Sequence, residues 1–315
     1  MEELERIQSN WNTSFEEKGQ QCYELGKTAG LSPEQRKMCF EAAVYYYEHS
    51  ETENILCNLA HCYFILARLF GVQSEEYYKR SIECHIKGSK NKNYQYQDFY
   101  KFYDVNENNI DLILRTIRLV KPSSFNDPTD CSIVQEGLNQ DIFPTKSVFD
   151  GLRVCCFGLV KGKQRAWEDS KKWAYYGAGS KGICIRYRFF NDVLEKGLGE
   201  KFVFNAVEYK DVFEFDRGIV ADGFMSKTKD YEEENEWRLV WYDRDYNCNQ
   251  YYWSKDGNIY LPIGKENIYQ VFIGCRCPET IAQSIINYIG GVKNQVMKIQ
   301  PDTANVFKLK SYAVD

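Results

Sequence analysis

Over the first 95 residues apolar side chains recur every three or four positions, the spacing of one helix face. From Gln97 onward they come in short aromatic and β-branched runs bounded by turn residues, the mark of strands. The change predicts a helical part over 1–95 and a mixed part over 96–315, with the boundary near Asn91–Asn93. Ser32-Pro33-Glu34-Gln35 reads as a helix start, with serine as cap, proline in the first turn and glutamine three residues after the serine. That helix carries Met38, Phe40, Ala43, Val44 and Tyr47 on one stripe. The next, over 54–70, aligns Leu56, Leu59, Ala60, Tyr63, Leu66, Ala67 and Phe70; Gly71 ends it, and Ser74 caps another through Tyr77, Tyr78, Ser81 and Ile82.

Residues 54–82 resemble a single tetratricopeptide-type hairpin, with Ala60, Ala67 and Ser81 where such helices approach closely; a generic helical bundle fits the same pattern. Either arrangement offers a surface for a protein partner or for self-association. In the second part, strands are expected over 99–103, 117–120, 152–159, 182–188, 202–209, 237–242, 268–274 and 296–299. Helices over 109–116, 167–176 and 278–289 separate some of them, so the fold class is α+β with a mixed, largely antiparallel sheet. Neither a dinucleotide glycine fingerprint nor a phosphate loop occurs.

Composition narrows the function. No apolar run approaches the roughly 18 residues of a membrane span, and the polar, charged start lacks the features of a secretory signal, so a cytoplasmic protein is expected. The twelve cysteines are scattered through apolar segments and read as reduced, buried thiols. A net charge of −5 without a basic tract argues against broad binding to duplex nucleic acid, leaving nucleic acid only as a local acceptor. Cys57, His61 and Cys62, with Cys84-His85, loosely imitate metal-ligand spacing, but packing is the simpler reading and no metal is expected. The three histidines, His49, His61 and His85, all lie in the helical part, which leaves no histidine base for a Ser or Cys nucleophile in the second.

The chemistry therefore falls to carboxylates and aromatics. Glu234 and Glu236 stand at the entrance of a strand, where alternate residues face the same way. They suit a cation or a developing oxocarbenium-like charge, or they form a solvated acidic turn. Trp173 and Tyr176, ahead of a glycine-rich turn, could stack a flat heterocycle or anchor the core. Asn126-Asp127-Pro128 is strong turn chemistry that could also hold a ribose. Lys101 offers a cation for a phosphate, as could Arg118 and Arg153, although the two arginines also read as surface or ion-pair residues. A metal-dependent nuclease using Asp127, Asp130, Glu234 and Glu236 is a further alternative.

Phe125-Asn126-Asp127-Pro128, Trp173-Ala174-Tyr175-Tyr176 followed by Gly182-Ile183-Cys184-Ile185, and the segment YEEENEWR ending at Arg238 occur here in an order and spacing that resemble the bacterial DUF2971 family, from about Tyr100 to Lys310. Gly158 departs from the family pattern, which commonly has serine after Cys-Phe. The layout is also similar to that of ADP-ribosyltransferases, which implies a split sheet and NAD as substrate. It places Glu236 on the nicotinamide ribose and Glu234 on the acceptor. Lys101 would face the dinucleotide, Trp173 or Tyr176 would lie on nicotinamide, and Asn126, Asp127, Arg153 and Arg238 would line the rest. A role in bacterial conflict, as a toxin or in phage defence, is the biological setting the resemblance implies. The competing expectation is a non-enzymatic interaction protein.

Overall fold

Residues 1–52, 55–70, 74–89, 94–95, 97–125, 149–159, 165–189, 193–211, 222–244, 253–290 and 295–314 are described in the computed structural model. Five helices open the chain: α1 (Glu2–Ser9), α2 (Phe15–Gly26), α3 (Pro33–Glu48), α4 (Leu56–Phe70) and α5 (Glu75–Gly88). Capping boxes start α2 at Ser14 and α3 at Ser32, the second as expected, with the Gln35 amide nitrogen donating to Ser32 Oγ and the Gln35 side chain accepting from the Ser32 amide. Met38 departs from its expected stripe and is exposed, while Cys39, Phe40, Ala43 and Tyr47 fill the interior. Ser74 precedes α5 but makes no side-chain capping bond. Ser81 Oγ instead donates to the Ala60 carbonyl at 2.7 Å, which holds α5 against α4. The expectation of buried thiols holds for Cys62 but not for Cys57 or Cys275, which are exposed; His61 Nδ1 lies 2.6 Å from the Tyr23 hydroxyl.

The remainder is α+β. In chain order it contains β1 (Phe99–Tyr103), α6 (Ile110–Arg115), β2 (Thr116–Leu119), β3 (Leu152–Gly158), α7 (Ser170–Tyr175), β4 (Ile183–Tyr187), α8 (Val193–Leu198), β5 (Phe202–Ala206) and β6 (Glu208–Lys210). It continues with α9 (Asp222–Met225), β7 (Ser226–Thr228), β8 (Glu236–Tyr242), β9 (Trp253–Lys255), β10 (Asn258–Pro262), β11 (Ile268–Ile273), α10 (Glu279–Ile289), β12 (Val296–Asp302) and β13 (Asn305–Ala313). The main sheet runs β13-β12-β11-β4-β1-β3-β8-β5, with only the β11–β12 pair parallel among these, as the α10 crossover requires. A second sheet has the order β2-β10-β9, and β6 pairs with β7. No helix among the described residues is long and apolar enough to cross a membrane.

The main sheet parts in the middle. β3 pairs with β8 over seven residues and β1 with β4 over five, but β1 and β3 meet at a single pair, Tyr100 and Gly158. Past that point Val120, the residue after β2, takes up part of the exposed edge, exchanging both backbone hydrogen bonds with Val154 at 2.8 and 2.9 Å. One face of the sheet packs on α6, α8 and α10 through Ile110, Leu114, Leu194, Leu198, Ile281 and Ile285. The other face, around β3, β8 and β5, is covered by the helical part itself: Phe64, Ala67, Ile82 and Ile86 join Val154, Val203 and Val240 in one cluster.

α4 is therefore buried on two sides, toward α3 and toward the sheet, and the helical layer shares a core with the strands. Ile82→Ala is expected to destabilise the strands as well as the helices, by about 2–5 kcal/mol. Chemical denaturation followed by helical circular dichroism and by tryptophan fluorescence should give two coincident transitions, both moved to lower denaturant in the variant. A fluorescence transition unmoved by the substitution would show that helices and sheet unfold independently.

Candidate functional site

Where β1 and β3 part, a cavity of about 650 Å³ opens. β1 contributes Lys101 to Tyr103 and β3 contributes Val154 to Gly158; Thr116, Arg118 and Val120 come from the β2 side, and Lys172, Tyr176, Lys227, Tyr231, Glu234 and Glu236 close the opposite end. The parting itself accounts for one side chain. The Cys156 carbonyl has no β1 ladder partner, and Lys101 Nζ donates to it at 3.0 Å.

Glu234 and Glu236 do converge, though not by strand alternation. Glu234 ends a 3-10 turn (Lys229–Glu234), Asn235 takes a left-handed conformation with φ 45°, and Glu236 is the first residue of β8. The carboxylates meet on Lys227 Nζ, at 2.7 Å from Glu234 Oε2 and 3.4 Å from Glu236 Oε2. Glu236 is 7% exposed, so the solvated-turn alternative does not describe it. Its other oxygen accepts from Arg238 Nε at 2.6 Å, and its backbone N–H donates to the Tyr209 hydroxyl at 2.8 Å. Burial drives the Glu236 pKa upward. The charge and hydrogen bond of Arg238, the charge of Lys227 and a hydrogen bond from the Cys156 thiol outweigh it and bring the carboxyl from 4.5 to about 2. Burial, and then the Glu236 charge, push the Cys156 thiol well up, so Cys156 is a donor here and not a nucleophile.

Tyr176 lies at the mouth, 47% exposed, and its hydroxyl donates to Glu234 Oε1 at 2.8 Å. Burial and that bond raise its pKa, which keeps it a neutral donor. The Lys227 ammonium lies 4.4 Å from the Tyr231 ring centre, making Tyr231 the second aromatic at this end. Lys172 Nζ donates to the Glu234 carbonyl at 2.9 Å.

Three expected site residues do other work. Trp173 is 1% exposed and absent from the cavity wall: its ring meets Phe102 edge-on at 5.1 Å and its Nε1 donates to the Trp167 carbonyl, so it anchors the core. Arg153 is buried on β3 and donates to the carbonyls of Gly257, Asp150 and Leu152, tying β3 to the β9–β10 turn rather than reaching a ligand. Arg238 is fully buried, with its NH1 on the Phe224 carbonyl; it acts only through Glu236. Asn126 and Asp127, with Asp130, lie outside the described residues. Lys227 and Lys172 were not anticipated as site residues. The signal for Lys172 was its place one turn of helix before Tyr176; Lys227 carried none, because its position depends on β7.

A metal between Glu234 and Glu236 would have to displace the Lys227 ammonium, which weakens the nuclease alternative. Comparison with protein-family models, curated proteins and solved structures finds no match.

The low Glu236 pKa fixes a sign. A carboxyl whose folded pKa is depressed contributes stability that is present above its unfolded value, here about 4.5, and lost as pH falls toward about 2. Wild-type stability should therefore fall across this window by more than that of Glu236→Gln, as measured by urea denaturation at stepped pH; parallel curves would contradict the pairing. Arg238→Met, which strands the buried carboxylate, should cost about 3–5 kcal/mol at neutral pH.

Proposed function

We propose that the chain is an ADP-ribosyltransferase-type enzyme that consumes NAD, with the cavity at the parted strands as its active site. The observation that carries this reading is the buried Glu236 carboxylate, held ionised on the cavity wall, with one oxygen fixed and the other loosely engaged. Arg238 grips Oε1 at 2.6 Å, while Lys227 reaches Oε2 only at 3.4 Å, longer than the roughly 2.7–2.9 Å of a firm charge-assisted bond. The Cys156 thiol also donates to this carboxylate, which offers about four acceptor sites, so capacity remains for a hydrogen bond from a ribose hydroxyl.

The chemistry needed is modest. The bond between the ribose C1′ and the pyridinium nitrogen breaks with its electron pair passing to nitrogen, and nicotinamide leaves neutral. Positive charge develops at C1′ and at the ring oxygen, where a fixed carboxylate stabilises it. An acceptor nucleophile then bonds to C1′ and gives up its proton, for which Glu234, nearer the surface with a 22% exposed side chain, is the base at hand. The cavity volume lies within the ~300–1,000 Å³ usual for small-ligand sites. Of the two aromatics expected on nicotinamide, Tyr176 keeps the role, and Tyr231 joins it in place of Trp173.

A second reading is supported by the helical layer, where Trp11 is 95% exposed and Phe15, Tyr45 and His49 form neighbouring aromatic contacts near the surface. On that reading the chain binds a protein partner or a second copy of itself through these helices, and the cavity is incidental.

Nicotinamide release from NAD separates the two. Wild type, with and without cell lysate as acceptor source, should release nicotinamide, and Glu236→Gln should lower the rate by about 10²-fold or more. Glu234→Gln should lower transfer to acceptor more than release itself. No release in any mixture from folded protein would sink the transferase reading and favour the interaction surface.

A further inference from the structure

Besides Arg118 from the β2 side, the lysines in and beside the cavity fall into two kinds. Lys227 and Lys171 are each matched to a carboxylate, Lys227 to Glu234 and Glu236 and Lys171 to Glu233. Lys101 and Lys172 give hydrogen bonds to neutral groups and to no carboxylate: Lys101 to the Cys156 carbonyl and the Cys155 thiol, Lys172 to the Glu234 carbonyl. An ammonium has three donors, so Lys101 keeps one for a ligand and Lys172 two. Both line the cavity.

Their placement follows from β3. Lys101 Nζ abuts Cys156, and Lys172 Nζ lies 3.1 Å from where a Cβ on residue 158 would stand. Cys156 and Gly158 are two positions apart, a rise of roughly 7 Å along a strand. Gly158 is paired with Glu236 across β3–β8, so the missing side chain leaves an opening beside the carboxylate, and the Lys172 ammonium fills it.

We infer that Lys101 and Lys172 form a seat for a diphosphate, one phosphate to each ammonium, and that Gly158 is what admits Lys172 to it. The inference deepens the proposed function and rests on that reading of the cavity as a nucleotide site. It adds a binding residue, Lys172, and a substrate class: nucleotides with two linked phosphates over those with one. Burial lowers the Lys172 pKa, with Asp169 and Glu234 opposing, and a bound phosphate would relieve that penalty.

Calorimetric titration of the full chain with ADP, AMP, adenosine and inorganic pyrophosphate tests it. ADP should bind more tightly than AMP, and AMP more tightly than adenosine. Lys172→Met should weaken ADP about ten- to a hundredfold with little effect on adenosine, and Lys172→Arg should recover part of the loss. Gly158→Ala, which presses only on the end of a flexible side chain, should fold and weaken ADP in the same direction. ADP binding no tighter than adenosine, or unchanged in folded Lys172→Met, overturns the seat. ADP carries no nicotinamide, so the two proposals fail separately. Tight, Lys172-dependent ADP binding without nicotinamide release leaves the seat and removes the transferase. Release with a KM unmoved by Lys172→Met does the reverse.

Discussion

A strand that loses its neighbour partway along must still satisfy its backbone polar groups, and β3 is such a strand. It leaves β1 after one residue pair, so its carbonyls and amides on that side face a gap and not a ladder. Two different devices close the edge. Val120 supplies a short stretch of backbone pairing at Val154, and the Lys101 ammonium supplies a donor at Cys156. Between them the gap stays open as a cavity. A continuous ladder would have been more stable locally, but it would have left no space for the side chains that now converge there.

The second constraint is electrostatic. β8 brings Glu236 and Arg238 to the same sheet face, two positions apart, and the helical layer seals that face from water. A lone carboxylate there would protonate or unfold its surroundings. Arg238 beneath and Lys227 above keep it charged, and the arginine is in turn held by the Phe224 carbonyl. The α4–α5 hairpin thus bears on the electrostatics of the cavity: by packing Phe64 and Ile82 on β3, β5 and β8 it helps create the dry environment in which a fixed carboxylate exerts a strong field.

Much of the fold was legible because its signals are local. The Ser32 capping box, the helical stripes and the dense apolar runs of β3, β4, β8 and β11 each declare themselves within a few residues. β10 and β13 did not: the apolar run of β10 is only Ile259 to Leu261 before Pro262 closes it, and lysines interrupt the apolar positions of β13. The 202–209 run divides at Val207 into β5 and β6. At the site, the acidic entrance to β8 and Tyr176 were readable from type and position. Trp173 misled because a large aromatic beside a glycine turn suits a ligand and a core equally well; only its edge-on contact with Phe102 decides. Arg153 misled for a similar reason: it is a charged residue on a strand, and the Gly257 carbonyl that draws it inward lies more than a hundred residues away in the sequence.

Gly158 shows best how sequence and site are linked. Read alone it is a glycine within a strand, a position that weakens the strand and offers nothing to pack. In the fold it is the residue across from Glu236, and the vacated volume is taken by a lysine from α7, fourteen residues later. A hydroxyl there would offer one neutral donor at a fixed height above the strand. An ammonium on a flexible stem offers three donors and a charge, while its bond to the Glu234 carbonyl also ties down the turn that carries Glu234. One absent side chain therefore admits a cation to the cavity and steadies the loop beside it, a coupling that no single residue in the chain reveals on its own.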